Sequence, residues 1–249
     1  KIDFVIIWVD GGDAEWRKEK NKYAGIPNEE INGDARFRDW DNLKYWFRGV
    51  EKYTPWVNKI YFITWGHIPK WLNTQNPKLV IVNHKDFIPK EYLPTFNSHT
   101  IELNLHRIKS LSEHFVLFND DTFVINKMSE EDFFKNGLPC ETAIVNPIIS
   151  VGVDHFANIS TNNLQIINNN FNKRETIKNN IAKWYSFKYG KELIRTIALI
   201  PWNKFPGFYN THLPNSFLKS TFNKVWDKEY DTLNKTSLCK FRDNYTNVN

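Results

Sequence analysis

The sequence predicts an α/β fold, with a mostly parallel sheet, helices on both faces of it and a more helical C-terminal lobe. Three observations predict it. Short apolar runs recur in the first half of the chain, stretches of helical period alternate with them, and acidic residues follow two of the runs. Alternating strands and helices indicate parallel strands joined by right-handed crossovers. The 249 residues, 41% of them hydrophobic, suit one large domain or one domain with an appended lobe.

The strands of the first half are predicted from runs of apolar and β-branched residues. The runs are residues 2–9, 59–65, 78–82 and 115–118. Between the first two runs, residues 17–35 are polar and lack a period, so they are predicted to form a loop. Residues 68–72 are predicted to form a short helical turn.

The helices are predicted from apolar residues spaced three and four apart. Residues 39–52 form the first helix, with Asp39 or Asp41 as its cap. Residues 97–112 form the second, which Ser98 can cap. The second half of the chain is less regular. A short helix is expected at 129–135, a return to the sheet at 141–151, and further helices at 178–187, 192–199 and 217–225.

The charge and the cysteines limit the function classes. A net charge of +5 favours anionic partners: nucleotides, phosphates, acidic polymers or anionic lipid surfaces. The chain has no long basic run, which argues against nucleic acid as a partner. Cys140 and Cys239 lie far apart and show no metal or disulfide spacing, as is typical of a reducing compartment. The sequence has no run of about 18 apolar residues, the length that would predict a membrane span. A start at Lys1, without Met or signal peptide, predicts a part of a longer protein.

Acidic residues follow two of the predicted strands. Asp120 and Asp121 come directly after the run 115–118, and Asp10 and Asp13 follow the first strand beside two glycines. Open α/β sheets bind ligands at the carboxyl ends of their strands. Adjacent carboxylates there can hold Mg²⁺ or Mn²⁺, which in turn can hold a diphosphate. The alternative is that both groups form ordinary solvated turns.

Several long motifs, in order, resemble the conserved regions of the Stealth family. The first region is similar to IDFVIIWVDGGD. The second is similar to RFRDWDNLKYWFRGVEKYTPWVNKIYFIT and, further on, to LPTFNSHTIELNLHRIKSLSEHFVLFNDD. The third resembles THLPNSFLKSTFNKVW, and the start of the fourth resembles KFRDNYTNVN. One departure is the sequence Trp46-Phe47-Arg48-Gly49, where the family usually has Ser before a Leu-Arg-Ser step.

The resemblance implies a sugar-1-phosphate transferase with a Rossmann-like or glycosyltransferase-A-like sheet. One catalytic domain over 1–249 is expected, with a nucleotide-sugar-binding half at 1–150 and a lobe with the late motifs at 151–249. The expected donor is a hexose or N-acetylhexosamine joined to a nucleoside diphosphate, with UDP as the nucleotide. The expected acceptor is a hydroxyl of a growing cell-surface polysaccharide or a lipid-linked oligosaccharide. The expected location is the cytoplasm, with the inner face of the bacterial membrane, reached by peripheral contact with anionic lipid, as the open alternative.

The resemblance also implies roles for individual residues. His212 stands in the family's His-x-Pro setting and is expected to act as general base on the acceptor hydroxyl. The other expected catalytic residues are Asp10, Asp121 and Arg242. Expected substrate-binding residues are Asp13, Arg38, Arg48, Asn97, Glu102 and Lys219. Asp120 and Asp121 are the expected metal ligands. His84 and His106 match family positions. Open alternatives are helix capping by Asn97 and Glu102, pairing of Arg38 and Arg48 with nearby acids, and structural roles for His84 and His106.

The predicted reaction is in-line attack of the acceptor hydroxyl on the phosphorus bonded to the sugar. It forms a phosphodiester and releases UMP, with charge stabilised by a cation and basic side chains. Two rival hypotheses stay open. One is a metal-dependent glycosyltransferase that attacks the anomeric carbon of the same donor. The other is a non-catalytic module that binds a sugar or a nucleotide. No oligomeric state follows from the sequence.

Overall fold

The computed structural model describes residues 1–24, 33, 37–149 and 155–249. The chain forms two compact units. The first contains Lys1–Cys140 and Leu213–Arg242, and the second contains Glu141–His212 and Asp243–Asn249. The boundary expected at residue 150 thus lies inside the second unit. Leu213–Arg242, expected in a C-terminal lobe, belong to the first unit with the sheet.

The strands pair mostly in parallel, as predicted. They are β1 Ile2–Ile7, β2 Ile60–Thr64, β3 Leu79–Asn83, β4 His114–Phe118, β5 Phe134–Lys135, β6 Leu138–Pro139 and β7 Asn215–Leu218. In the described part of the chain, five of them form a sheet in the order β3–β2–β1–β4–β7. The first four are parallel: Phe4 of β1 pairs with Ile60 on one side and Val116 on the other. β7 runs antiparallel to β4, and β5 and β6 form a separate antiparallel pair.

The helices lie between these strands, after β7 and in the second unit. The α-helices are α1 Ala14–Tyr23, α2 Leu43–Tyr53, α3 Ser98–Leu103, α4 His155–Asn170, α5 Lys173–Lys178, α6 Ile181–Trp184, α7 Leu193–Ala198, α8 Lys219–Lys228 and α9 Tyr230–Leu238. Short 3₁₀ helices span His84–Asp86, Lys90–Tyr92, Leu105–Arg107, Glu130–Asp132 and Phe187–Glu192. No helix among the described residues is long and apolar enough to cross a membrane.

The core of the first unit explains why its strands read as continuous apolar runs. β1 is buried from Ile2 to Ile6, as expected for a parallel strand covered on both faces. From α2, fully buried Trp46 packs edge-on against Phe118 of β4, with ring centroids 5.2 Å apart. Gly49 follows on the same helix, and a Cβ there would lie 2.5 Å from the Val124 carbonyl oxygen. The departure from the family pattern at this step therefore permits a close approach of two backbones.

The prediction of a loop at 17–35 was wrong for residues 17–23. Residues up to Tyr23 belong to α1, while residues 25–32 and 34–36 lie outside the described part. Asp13 caps α1 by accepting a hydrogen bond from the Trp16 backbone N–H, and Trp16 is the apolar anchor, buried against the rings of Phe37 and Phe96. A single large side chain, Trp16, packs this helix, so its sequence shows no repeat of apolar residues at helical spacing.

Both helices predicted in the first half were too long. α3 is capped by Asn97, not Ser98, and ends at Leu103. The Asn104 side chain donates to the Thr100 carbonyl and to Ser237 Oγ, and a 3₁₀ turn follows. α2 begins at Leu43, and neither predicted acid caps it: the Asp39 side chain accepts from the Asp41 backbone N–H instead. Local hydrogen bonds of Asn and Asp thus set helix ends that apolar spacing misses.

The return to the sheet predicted at 141–151 was also wrong. Residues 150 and 151 lie outside the described part; within 141–149, Val145 makes an isolated bridge to Phe208 in the second unit. The sheet gains β7 instead, so the helix predicted at 217–225 begins two residues later, at Lys219. Residues 129–135 form a 3₁₀ helix and β5, and residues 68–72 contain a simple turn closed by the Leu72 N–H on the Pro69 carbonyl.

The second unit has a small core of its own. Buried Val145, Leu199 and Phe205 form it, and Trp184 stacks on Phe205. Lys173 is buried and its ammonium donates to the carbonyls of Leu199 and Trp202. Burial lowers the pKa of this lysine. α6 and α7 lie within the helices predicted at 178–187 and 192–199.

Candidate active site

The carboxyl ends of β1 and β4 define the candidate site. From β1 the chain builds β2 and β3 on one side and then crosses to β4 on the other. Open α/β sheets bind ligands in the crevice where the strand order reverses in this way. Asp10 follows β1 and Asp120 follows β4, so both groups of acids predicted from the sequence begin at this crevice.

A cavity of about 160 Å³ opens in the first unit at this edge of the sheet. It combines aromatic walls with a few polar groups, as is typical of small-molecule sites. Its lining residues are Ile7, Trp8, Val9, Trp16, Phe37, His84, Thr95, Phe96, Ser98, Ile101, Glu102, Phe118, Asn119, Asp120 and Arg242. Three residues expected at the site, Glu102, Asp120 and Arg242, therefore meet here from separate segments of the chain.

Asp120 lies among charges that oppose its ionisation. Burial raises the pKa of its carboxyl, the neighbouring Asp121 carboxylate raises it further, and Asp39 adds to the effect, while a backbone hydrogen bond lowers it in part. Arg242 acts in the opposite direction. The residue lines the cavity and also reaches solvent. A cation or a positively charged side chain beside Asp120 would relieve this repulsion.

The predicted metal ligands fit a cation that is shared with a ligand. No group of three His, Cys, Asp or Glu side chains suited to a metal occurs in the described ranges of the chain. At phosphate sites Mg²⁺ commonly takes one or two carboxylates, and phosphate oxygens and water complete its shell. The crowded pair Asp120 and Asp121 matches that donor set.

Arg242 brings positive charge to the cavity. Its guanidinium donates a hydrogen bond of 2.8 Å to Ser98 Oγ at the first residue of α3. Glu102, one turn further along α3, also lines the cavity. Burial raises the pKa of the Glu102 carboxyl to about 7, although Arg242 and a hydrogen bond with Ser98 lower it in part. The net charge beside Arg242 therefore changes near neutral pH.

Asp10 and Asp13 are bound into their own loop. Asp10 Oδ1 accepts from the Gly12 N–H at 2.8 Å, and the Asp10 N–H donates to His67 Nε2 at 2.8 Å. Asp13 Oδ1 accepts from the Trp16 N–H at 2.8 Å, and its Oδ2 lies 4.0 Å from His67 Nδ1. Burial is the main cause that lowers the pKa of His67. The neutral imidazole therefore stabilises the loop after β1 by accepting the hydrogen bond from the Asp10 N–H.

His67, Ser98 and the aromatic walls escaped prediction from the sequence. His67 follows the carboxyl end of β2, as the acids follow β1 and β4, so the same positional rule could have found it. Ser98 was read only as a helix cap. Among the walls, Trp16 packs against Phe37 in a tilted arrangement and against Phe96 edge-on, with ring centroids 5.0 and 5.7 Å apart. Aromatic residues are frequent throughout this chain, at 16%, so composition gave no signal for these three.

Three predicted basic residues lie elsewhere in the first unit. Lys219 donates to the backbone carbonyls of Ile108, Lys109 and Leu111, which is a structural role. Arg48 lies over the Tyr45 ring and lines a separate groove of about 360 Å³ with Trp71. Exposed Arg38 lies over the Trp40 ring. Their contacts with a substrate stay predictions.

The remaining candidates have these surroundings. Asn97 is fully buried and caps α3 by accepting from the His99 N–H, so the capping alternative holds for it. His212 belongs to the second unit, where its backbone N–H donates to Asn210 Oδ1 and its φ is 51°, uncommon outside glycine. His106 is buried and hydrogen-bonded through Nδ1 to the Leu103 carbonyl, whereas His84 lines the cavity.

Comparison with known proteins identifies the family. The model of Stealth protein CR1, conserved region 1, matches residues 1–26, and that of Stealth protein CR2, conserved region 2, matches residues 36–141. A capsular polysaccharide phosphotransferase, WcwK, of Streptococcus pneumoniae is 49% identical over 244 residues, covering 97% of this chain and 72% of the relative.

Two further relatives extend over nearly the whole chain. An exopolysaccharide phosphotransferase, cps2G, of Lactiplantibacillus plantarum is 42% identical over 99% of this chain and 72% of its own length. A receptor polysaccharide phosphotransferase, WefC, of Streptococcus gordonii is 44% identical over 97% of this chain and 73% of its own length. These relationships confirm the family predicted from the motifs, and the chain belongs to the Stealth family.

Proposed function

We propose that this chain transfers a sugar 1-phosphate from a nucleotide-diphosphate sugar to a hydroxyl of a cell-surface polysaccharide. The relatives are named polysaccharide phosphotransferases, and the chain shares their enzyme class. The observation that carries the finer proposal is the cavity at the β1–β4 crevice, where Asp120 and Arg242 lie among aromatic walls. The first donor to test is UDP-N-acetylglucosamine, since the proposed sugar is a hexose or N-acetylhexosamine.

The chain's part in the reaction is to position and neutralise phosphate. During attack at phosphorus, charge spreads over the equatorial and leaving oxygens. The Arg242 guanidinium, held by Ser98, supplies fixed positive charge at the cavity. Asp120 and Asp121 would hold Mg²⁺ or Mn²⁺, which when bound shields the diphosphate. Fixed charges of this kind usually make the largest single contribution to catalysis.

Proton transfer requires a group that accepts the acceptor's hydroxyl proton. We assign this role to His212, on the strength of the His-x-Pro motif that it shares with the family. Glu102 has a different part. Its carboxyl titrates near pH 7 beside Arg242, so its protonated form leaves the guanidinium's charge available to the substrate phosphates. The net charge of +5 also supports peripheral contact with an anionic membrane surface.

Phosphorus NMR of a reaction mixture tests this function. The chain is incubated with Mn²⁺ and a panel of nucleotide-diphosphate sugars, with and without an oligosaccharide acceptor. We expect a nucleoside monophosphate in every productive mixture, with a phosphodiester when the acceptor is present and a sugar 1-phosphate when water replaces it. A nucleoside diphosphate with no phosphodiester would overturn the proposal in favour of a glycosyltransferase.

A further inference from the structure

Two buried polar side chains that line the cavity have ring nitrogens with no hydrogen-bond partner among the described residues. Trp8 is 5% exposed and His84 is 6% exposed. Within the described part of the chain, Trp8 Nε1 makes no hydrogen bond. The two ring nitrogens of His84, Nδ1 and Nε2, make none there either. Buried polar atoms in folded proteins almost always have a partner. Three unpartnered atoms on two residues that line one cavity therefore point to a ligand.

The chemistry of these atoms defines what they can bind. Burial lowers the pKa of the His84 imidazole to about 4, so the ring is neutral at physiological pH and offers one donor and one acceptor. The Trp8 indole offers a donor only. An ionised phosphate can only accept, and it would leave the imidazole acceptor without a partner. The Trp8–His84 corner therefore suits an uncharged group that both donates and accepts.

The size and the walls of the cavity suit a single ring. At about 160 Å³ it is close to an engineered apolar cavity of about 150 Å³ that binds benzene. The rings of Trp16, Phe37 and Phe96 supply flat apolar surface. Arg242, together with a cation held by Asp120, can then bind the phosphates of the donor that carries such a ring.

We propose that the Trp8–His84 corner is a charge-free subsite for a six-membered polar ring of the donor substrate, either its nucleobase or its pyranose. This inference rests on the proposed function for the identity of the donor. Both rings are uncharged and present hydrogen-bond donors and acceptors, and separate probes distinguish them. The subsite leaves the phosphates to Arg242 and to a cation held by Asp120 and Asp121.

Side-chain ¹⁵N NMR of histidine-labelled protein tests the subsite without turnover. The probes are the four common ribonucleosides, N-acetylglucosamine and inorganic pyrophosphate. We expect the His84 ring signals to shift with a nucleoside or with N-acetylglucosamine, and whichever acts identifies the ring. A shift with pyrophosphate alone, or with none of the probes, would overturn the subsite. Ring binding without phosphotransfer in the ³¹P assay would leave the subsite standing and refute only the proposed function.

His106 provides the matched control in the same spectrum. Its pKa is also lowered to about 4, chiefly by burial, but its Nδ1 is bonded to the Leu103 carbonyl and it packs against Phe222 and Trp226. Its signals should stay unchanged with every probe. Shifts of both histidines together would indicate a general rearrangement and would overturn the assignment to the cavity.

Substitutions provide a second readout. His84→Phe keeps a flat ring but removes both nitrogens, and it should weaken calorimetric binding of the active ring probe by about tenfold or more. Trp8→Phe should weaken it as well. Trp46→Phe is the control, because the Trp46 indole N–H is also buried with no hydrogen-bond partner in the described ranges but does not line the cavity. Equal affinities in Trp8→Phe and Trp46→Phe, with His84→Phe unchanged, would contradict the proposal.

Discussion

The acids after β1 and the acids after β4 occupy equivalent positions on neighbouring strands but have opposite surroundings. Asp10 and Asp13 accept hydrogen bonds from backbone N–H groups of their own loop. Burial raises the pKa of Asp120, and the neighbouring carboxylates of Asp121 and Asp39 raise it further, although a backbone hydrogen bond and Arg242 offset part of the shift. The carboxylates of the first group hold a loop and a helix end, whereas Asp120 of the second group lines the cavity. The same sequence pattern therefore occurs in two different local environments.

The comparison gives a physical criterion for telling such acids apart. A carboxylate that accepts from backbone N–H groups is stabilised in its ionised form by the protein itself. One that is crowded by other carboxylates gains stability when a cation arrives. The predictions below test this division, from the largest expected effect to the smallest.

Removal of divalent cations should abolish turnover, because the Asp120–Asp121 pair would then face the donor's phosphates with no intervening charge. Assays in excess chelator, and again after addition of Mn²⁺, measure the loss and the recovery of turnover. The affinity for Mn²⁺ itself, measured by electron paramagnetic resonance, should fall in Asp120→Asn and stay unchanged in Asp13→Asn. Full turnover in chelator would refute the cation's role.

Asp120→Asn should lower turnover by about 10²–10³-fold, the usual effect of removing one element of transition-state charge stabilisation. Its thermal stability should be unchanged or higher, because the substitution relieves repulsion with Asp121. Steady-state kinetics and thermal melts check both quantities. A variant with near-normal turnover would show that the β4 acids are as structural as those of β1.

Glu102 should impose a pH dependence on donor affinity. As the pH rises through about 7, the carboxyl ionises beside Arg242 and offsets its charge, so donor affinity should fall by roughly tenfold, or about 1.4 kcal/mol. Glu102→Gln should bind with a flat profile over that range, as measured by calorimetry. An unchanged profile in the variant would assign the dependence to another group.

The same carboxyl has a predictable effect on folding. Its pKa is raised from the ordinary 4.5, so the folded chain holds this proton more tightly than the unfolded chain does. Its contribution to stability is therefore complete below about pH 4.5 and is lost as the pH rises to about 7. In urea unfolding, Glu102→Gln should lose less stability over this interval than the wild type. Parallel curves would contradict the burial of the carboxyl.

Asp13 should behave as a helix cap. Asp13→Ala should lower the free energy of unfolding by about 1 kcal/mol, because the Trp16 N–H loses its acceptor. The corresponding fall in melting temperature is about 2–4 °C for a chain of this size. Asp13→Asn keeps a capping oxygen and should preserve both stability and turnover. A large loss of turnover in Asp13→Asn would place this acid with the β4 group.

Much of the first unit was predictable, because buried parallel strands and their end residues leave local signals. The strand-end rule located Asp10 and Asp120 from the sequence, and the family motifs pointed to Arg242. The sequence could not show that Arg242 meets Ser98 and Glu102, because a contact between distant segments leaves no local pattern. α1 escaped because a single anchor, Trp16, replaces an apolar period.

The second half was harder to predict for related reasons. β7 is a short antiparallel strand that joins the sheet through pairing with β4, and its four residues carry no clear alternation. Lys219, at the start of α8, was expected at phosphate, yet three backbone carbonyls surround its ammonium. Those carbonyls belong to a distant segment of the chain, so the sequence around Lys219 gave no sign of them.

The central claim is that the sugar keeps its own phosphate, and isotope labelling tests it most directly. The donor is prepared with ¹⁸O as the bridging atom between the anomeric carbon and the phosphorus. The mass of each product is then measured by mass spectrometry. Attack at phosphorus leaves that bridge intact, so the account predicts ¹⁸O in the sugar phosphodiester and none in the nucleoside monophosphate. Recovery of the ¹⁸O in a released nucleoside diphosphate would contradict it.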